Sequence, residues 1–322
     1  MAAAREATAS SGKDRARIPF RLRLKAWWEG YELEVHDKSR ARRRKTAGAE
    51  DTVEAAISFE RWDDAHRELL QAVWGEGFVL PGGTEQTLQL VKPFGLNPAM
   101  SLLHLGAGLG GPSRLIAKQF GVWVTGMERE SALANAGMAL STKAGMEKKA
   151  PILPYDPEHF EGKAKSFDCV FAQEAFCAIE DKPRLIEMLD TMMKDNGQMV
   201  FTDYVLAKPN AKSPILQQWA LGEPHTPHPW TVDEYIRALT EQRLDIRITE
   251  DITAAFQKTV TLAWADFMAR NHGGVSDKRL APALVEEVEL WTRRVQALES
   301  GDLRVCRIYA LKKTRSNLLS DW

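Results

Sequence analysis

The chain has 322 residues, of which 44% are hydrophobic and 27% charged, the make-up of a folded globular protein with room for one large domain or a domain with a substantial insertion. Its 43 Lys and Arg nearly balance 44 Asp and Glu, so no overall field draws it to nucleic acid. No apolar run approaches the ~20 residues that span a bilayer, no apolar leader opens the chain, and Cys169, Cys177 and Cys306 lack metal spacing, which makes a reducing cytoplasm the expected compartment.

Residues 1 to about 17 (MAAAREATASSGKDRAR) are small and polar and are expected to be disordered. Residues 1–46 hold thirteen Lys and Arg against six Asp and Glu, with Trp27, Trp28 and Tyr31 among them. Tryptophans beside cations suit an anionic membrane surface, and they equally suit packing on a domain beside a solvated basic face. Thr52–Gly77 reads as a helix, with Ala56, Phe59 or Trp62, Ala65, Leu69 and Val73 at helical spacing. Trp74–Gly83 (WGEGFVLPGG) is a Gly/Pro-rich turn by composition, and Glu85–Phe94 is a further helix.

The rest is organised around Ser101–Glu130. Leu102, Leu103 and Leu105 make a short apolar run that suits a buried strand. Gly106, Gly108, Gly110 and Gly111 follow at once, and Pro112 stands where a helix can begin without its N–H. Ser113–Phe120 turns Leu115, Ile116 and Phe120 inward, Gly121 stops that helix, and Val122–Met127 is a second strand closed by Glu128. Glycines let the backbone approach a ligand closely, and a helix start offers free N–H groups. An acid at the next strand tip can accept hydrogen bonds from two ribose hydroxyls. Gly106-x-Gly108-x-x-Gly111 also fits the dinucleotide fingerprint, so a nicotinamide cofactor is a rival ligand at this point.

Ala132–Ala144 reads as a helix and Ala150–Pro154 as a third strand, with Asp156 just after it. Phe167–Phe176 is a fourth strand running into a polar tip at Gln173 and Glu174. Asp181-Lys182-Pro183 opens a helix with Leu185, Met188, Leu189 and Met192 on one face. Asn196-Gly197 is a turn, and Met199–Tyr204 is a fifth strand that ends in Asp203 and Tyr204. Ala207–Pro229 holds five prolines with Trp219, His225 and His228. Beyond it lie two helical stretches, one striped by Phe256, Val260, Ala263, Trp264 and Phe267, the other by Leu280, Leu284, Val288, Trp291, Val295 and Leu298. Both stripes read as core or as the seam of a homodimer rather than as ligand sites. Leu303–Leu311 fits the last strand.

Four segments in this order resemble the motifs of class I S-adenosylmethionine-dependent methyltransferases of the small-molecule type, over roughly residues 70–250. HLGAGLGG resembles the first motif, GMERE the second, FDCVFAQEAF the fourth-strand motif and DNGQMVFTDY the fifth. Within that family the chain looks most similar to sarcosine/dimethylglycine, phosphoethanolamine and cyclopropane-synthase-like enzymes, whose Gly-Gly-Pro stands here as Gly110-Gly111-Pro112. The resemblance implies an α/β fold: a Rossmann-like seven-stranded methyltransferase sheet with helices on both faces, N-terminal helices and a helical insertion near the C-terminus. Trp230–Tyr235 resembles the start of the helix before strand six, which is then Asp245–Ile248.

It further implies S-adenosylmethionine as cofactor, with S-adenosylhomocysteine as product, held by Gly106, Ala107, Gly108 and Gly111, by Glu128 and Arg129, and by Gln173. Asp156 matches the acid that approaches the adenine in that family, and reads equally as a helix N-cap before Pro157. Gly77-Phe78-Val79-Leu80-Pro81-Gly82-Gly83 resembles the segment that folds over cofactor and acceptor, which implies Gly82 and Gly83 as further cofactor-binding residues, with Phe78 near where some relatives carry a catalytic tyrosine. His104 departs from the family pattern: it replaces the acid that steadies the glycine loop and the methionine end of the cofactor, a place it can fill by hydrogen bonding.

Methyl transfer from a sulfonium is an SN2 step, for which the protein mainly aligns the reactants and removes water. An acceptor that carries a proton adds the need for a base. Tyr31, Glu174, Asp203 and His225 are the candidate catalytic groups, although Asp203 also suits a cap and His225 a surface position. Trp219 and Trp230 suit either a quaternary ammonium group or the core. The expected acceptor is a small molecule, an amine or a carbon centre, and a carboxylate at Glu174 favours a cationic or amine one. A lipid methyltransferase docked by the basic N-terminus and a non-catalytic S-adenosylmethionine-binding protein are the alternatives. No metal and no nucleic acid are expected. The expected layout is a disordered tail over 1–20, a helical lid over 21–95, a cofactor-binding core over 96–206 and an acceptor-side segment with the last strands over 207–322.

Overall fold

A computed structural model describes residues 61–271 and 275–313. The tail over 1–20 and the aromatic cluster of Trp27, Trp28 and Tyr31, the last a candidate catalytic group, lie outside the described residues.

Five apolar runs pair as parallel strands: β1 (Ser101–Leu105), β2 (Trp123–Glu128), β3 (Ile152–Pro154), β4 (Phe167–Gln173) and β5 (Met193–Leu206). Two more, β6 (Leu244–Asp251) and β7 (Leu303–Lys312), close one edge, with β7 antiparallel to both of its neighbours. The order is β3-β2-β1-β4-β5-β7-β6. Chain direction across the sheet reverses between β1 and β4, and the carboxyl ends at such a switch point open a crevice for a ligand.

Side chains alternate across the pleat and divide the interior in two. Leu103, Leu105, Val170, Ala172 and Phe201 pack with Leu185, Ile186 and Leu189 of one helix (Lys182–Met192) and with Tyr235 and Leu239 of another (Val232–Glu241). Leu102, Cys169, Phe171 and Val200 pack on the other face with Leu90 and Val91 (helix Gly83–Val91) and with Ile116 and Ala117 (helix Gly111–Phe120). In chain order the helices are α1 (Asp64–Trp74), α2 (Gly83–Val91), α3 (Gly111–Phe120), α4 (Ser131–Lys143), α5 (Lys182–Met192), α6 (Pro214–Gly222), α7 (Val232–Glu241), α8 (Thr253–Arg270) and α9 (Ala281–Glu299) among the described residues.

Two element boundaries differ from the sequence reading for local reasons. The helix expected over 52–77 begins only at Asp64 in its described part, because the Asp63 side chain accepts the His66 N–H at 2.8 Å and caps it there. Trp62 therefore lies in a turn and off the helical stripe. The expected Asn196-Gly197 turn is absorbed into β5 as an irregularity: the register jumps from Phe167↔Met193 to Cys169↔Gln198, and Asn196 takes φ +63°.

Helices α1, α6, α8 and α9 form one layer knit by aromatic contacts. Trp74 of α1 lies 6.1 Å from Trp264 of α8 and 5.0 Å from Trp291 of α9. Phe256 links Trp291 to Tyr204 at 6.3 and 6.0 Å, and Tyr204 meets Trp219 of α6 at 6.1 Å. Such pairs contribute about 0.5–1.5 kcal/mol each beyond their buried area. A buried carboxylate pins the same layer: Glu287 Oε1 meets His66 Nε2 at 2.7 Å and Arg61 Nη2 at 3.0 Å, and its Oε2 accepts from Trp291 Nε1 at 3.1 Å. Burial pushes the Glu287 pKa up, but His66 and Arg61 outweigh it and hold the group below the usual carboxylate range. No helix among the described residues is long and apolar enough to cross a membrane.

Candidate active site

After Leu105 the chain turns through Gly106–Gly110 into α3. The Gly106 and Ala107 N–H groups donate to Met127 O at 2.9 and 3.0 Å and tie this loop to the end of β2. Glu128, buried there, accepts from Gly108 N–H through Oε2 at 2.7 Å and from Glu130 N–H through Oε1 at 2.9 Å. Burial raises its pKa against the pull of those two amides. A carboxylate has about four acceptor sites, so two remain for ligand hydroxyls.

The segment Gly77–Leu80 lies directly on this loop. Gly111 N–H donates to Gly77 O at 2.9 Å, and a Cβ on Gly111 would stand 2.4 Å from that oxygen, so only glycine permits this approach. Gly108, at φ +54°, is covered the same way by Val79, whose Cγ2 a Cβ would meet at 2.5 Å. Gly111 meets Gly77, and Gly82 and Gly83 start α2, while Gly77 to Pro81 line a small hollow beside the glycine loop.

His104 is buried, with Nδ1 2.8 Å from Ser113 Oγ and its ring 4.9 Å from that of Phe171. Burial lowers its pKa to about 3, so the imidazole is neutral. It joins β1 to the first turn of α3 by a hydrogen bond and lines a small hollow under the lid with Phe78 and Gln173. Because the folded pKa lies below the ordinary 6.5, the folded state binds fewer protons than the unfolded chain between those values. Stability is therefore lost as pH falls below 6.5, by about 2 kcal/mol at pH 5 through this group. Between pH 7 and pH 5, urea unfolding should cost the wild type about 2 kcal/mol relative to His104→Gln; equal pH sensitivity of the two would refute it.

A cleft at this end of the sheet holds about 950 Å³ of space, part of it open to solvent. Glu128 borders one side, Tyr204, Trp219 and Arg294 the other, and Gln173 and Glu174 stand between them. Glu174 ends β4 at φ +44°, where its N–H donates to Thr202 O at 2.8 Å. Its Oε1 accepts from Thr202 Oγ1 at 2.7 Å, and its Oε2 is enclosed without a hydrogen-bond partner among the described residues. Burial raises the Glu174 pKa to about 7, with Asp203 adding to the rise and Thr202 and Arg294 opposing it. Arg294 reaches in from α9: its Nε and Nη2 donate to Glu223 Oε1 and Oε2 at 2.8 and 2.6 Å, and its guanidinium carbon lies 5.7 Å from the Tyr204 ring centre.

The remaining candidates divide. Asp203 points to the opposite face of β5 from Tyr204 and is fully buried, with Oδ1 accepting from Cys177 N–H at 3.1 Å and Oδ2 from Tyr235 Oη at 2.5 Å. It lies outside the cleft lining and braces the fold, which corrects its place among the catalytic candidates; the period of the strand is the reason. Burial raises its pKa to about 6. His225 meets Glu130 Oε1 at 2.5 Å and bridges the post-α6 loop to the start of α4 at the rim of the cleft. Arg129 lines the cleft and donates to Ala178 O at 3.2 Å. Asp156 caps the short turn at Pro157–His159 by accepting Glu158 N–H at 3.0 Å, and pairs with His159 at 2.7 Å on the surface. Trp230 has the buried Lys182 Nζ 5.4 Å from its ring centre, so the cation it faces belongs to the chain.

Arg294 was not legible as a site residue, since it falls within the apolar stripe of α9. A signal exists in retrospect: Glu287 and Arg294 stand two turns apart on the face that also carries Trp291 and Leu298, charges where the period calls for apolar groups. No three His, Cys, Asp or Glu among the described residues are placed to hold a metal ion.

A seven-stranded sheet of this order, with a glycine loop after β1 and an acid closing β2, defines a protein of the Rossmann-like methyltransferase class. The chain belongs to the methyltransferase-domain family, whose model matches residues 83–243. It is similar to phosphoethanolamine N-methyltransferase 3 of Arabidopsis thaliana, with 28% identity over 190 residues, 59% of this chain and 38% of that one. It is also similar to a glycine/sarcosine/dimethylglycine N-methyltransferase of Actinopolyspora halophila, 28% identical over 44% of this chain and 26% of that one. The chain thus spans less than half the length of either curated relative. Among solved structures, phosphoethanolamine N-methyltransferase 2 of Haemonchus contortus in complex with S-adenosyl-L-methionine superposes with a TM-score of 0.70 at 18% identity, covering 80% of this chain and 59% of that one.

Proposed function

We propose that the protein transfers a methyl group from S-adenosylmethionine to the nitrogen of a small amine. The observation that carries this reading is Glu174 Oε2, an enclosed carboxylate oxygen without a partner, in the cleft at the switch point of the sheet. The family and its SAM-bound structural relatives support the donor. The residues present fit it. Glu128 offers acceptor sites to ribose hydroxyls, Gly106 and Ala107 bring bare backbone to the cleft and the hollow beside it, and Gln173 lines both. Arg129 lies on the cleft wall near Glu128, and Asp156 lies toward the open rim. When bound, S-adenosylmethionine supplies an electrophilic methyl group on a sulfonium.

Glu174 draws an ammonium into the cleft when ionised and takes one N–H proton, which frees the nitrogen lone pair for attack. The proton stays on Oε2, whose environment tolerates the neutral acid because burial already disfavours the anion. Tyr204 and Trp219 wall off water on the acceptor side, and Gly77–Leu80 cover the glycine loop. His225 with Glu130 joins the two halves at the rim and is a closing contact rather than a proton acceptor. The cytoplasmic location expected from the sequence belongs with this reading, as a soluble small-molecule enzyme.

Two measurements test the proposal. Calorimetry should show S-adenosylhomocysteine binding, with no competition from NAD. Transfer of labelled methyl from S-adenosylmethionine should then go to small primary or secondary amines and not to phospholipid vesicles. Transfer to vesicles would favour the lipid reading, and donor binding with no transfer to any amine would refute the amine assignment.

A further inference from the structure

A second unpartnered polar atom belongs to a residue that lines the same cleft. Trp219 is buried, its Nε1 has no hydrogen-bond partner among the described residues, and the residue lines the cleft with Glu174. The two are connected through one face of β5. Glu174 is anchored on Thr202, Tyr204 stands two residues further on that face, and the Trp219 ring lies 6.1 Å from the Tyr204 ring.

The indole is held in place from behind. Trp219 lies in the last turn of α6, and Glu223, the residue after that helix, takes both forks of the buried Arg294 at 2.8 and 2.6 Å. A bidentate pair of this kind fixes direction as well as distance. Arg294 in turn lies 4.7 Å from the ring centre of Trp291, whose Nε1 is held by Glu287. The end of α6 is thus tied to α9, and α9 to α1. Among the described residues two other buried indole N–H groups lack partners, those of Trp74 and Trp264, and neither residue lines this cleft.

We propose that Trp219 and Glu174 form a two-point acceptor subsite, in which Trp219 Nε1–H donates to an oxygen of the acceptor while Glu174 Oε2 accepts from its nitrogen. An indole N–H is donor only and an ionised carboxylate is acceptor only, so the complementary molecule carries an amine and an oxygen function together. An alkylamine of equal size leaves the Trp219 N–H buried and unpaired, which is what discriminates against it. The inference rests on the amine reading above and adds to it the residue that selects within amines.

Ethanolamine and n-propylamine separate the outcomes, since they differ only by a hydroxyl in place of a methyl. Calorimetry at pH 8 on the full chain loaded with S-adenosylhomocysteine should show ethanolamine bound about tenfold more tightly. Trp219→Phe should bring the two affinities together while S-adenosylhomocysteine binding persists, which also shows that the variant is folded. Glu174→Gln should weaken both amines and keep their ratio. Equal affinities in the wild type, a preference that survives Trp219→Phe, or no binding of either amine to the loaded protein would each overturn the subsite. Failure of S-adenosylhomocysteine itself to bind would strike the donor assignment instead.

Discussion

Glu174→Gln is expected to lower kcat for an amine acceptor by ~10²–10⁴-fold, the usual contribution of a positioned proton acceptor. The amide keeps an oxygen for Thr202 Oγ1, so the local fold should survive. Wild-type kcat/KM should rise with pH through about 7, where Glu174 ionises, and the variant should lack that step. The same residue should report in stability with the opposite sign to a loss of function. Its folded pKa is raised from 4.5 to about 7, so the folded state binds more protons than the unfolded chain in that window. The contribution of this group to wild-type stability therefore falls as pH rises from 4.5 to 7. The variant, which carries no such charge, should be more stable than wild type at pH 8, by up to about 3 kcal/mol, and should lose that advantage below pH 5. Denaturant titrations at both pH values, beside steady-state rates, check this. A variant with wild-type kcat and an unchanged pH profile would sink the base assignment.

Glu128→Ala should weaken S-adenosylhomocysteine binding by about 10- to 150-fold, equivalent to 1.5–3 kcal/mol for a charged hydrogen-bonding group. The arrangement at β2 makes this more than the loss of one ligand contact. The Glu128 carboxylate also holds the Gly108 and Glu130 N–H groups, so its removal frees the glycine loop at one end and the start of α4 at the other. Glu128→Gln keeps one acceptor oxygen and should fall between wild type and Glu128→Ala. Calorimetry with S-adenosylhomocysteine distinguishes the three proteins, and unchanged affinity in Glu128→Ala would rule out a ribose role.

Part of this site was open to sequence reading because its signals are local. The apolar run Leu102–Leu105, the glycines after it and the acid closing the next strand are adjacent in the chain and adjacent in space, so spacing alone brought Gly106, Gly108 and Glu128 together. The period of a strand could in principle have turned Asp203 inward to the core, since Thr202 and Tyr204 alternate with it, but the sequence does not say which face of a doubly covered strand meets the cleft. The same limit applies to Asp156, whose two readings differ only in what lies beyond its own turn.

The acceptor side was decided by packing between distant segments. Trp219 and Arg294 are 75 positions apart in sequence and come to line one cleft as α6 and α9 pack together, with Glu223 paired to Arg294. The Gly111 role likewise depends on Gly77, which lies on a separate segment and approaches to hydrogen-bonding distance. By itself the sequence determined the sheet, the loop and the acid at the tip of β2, because hydrophobic period and glycine placement act over a few residues. Only the tertiary structure decided which polar atoms are left without partners inside the cleft. Desolvation and hydrogen-bond satisfaction depend on every segment that closes around a group, and no local pattern records them.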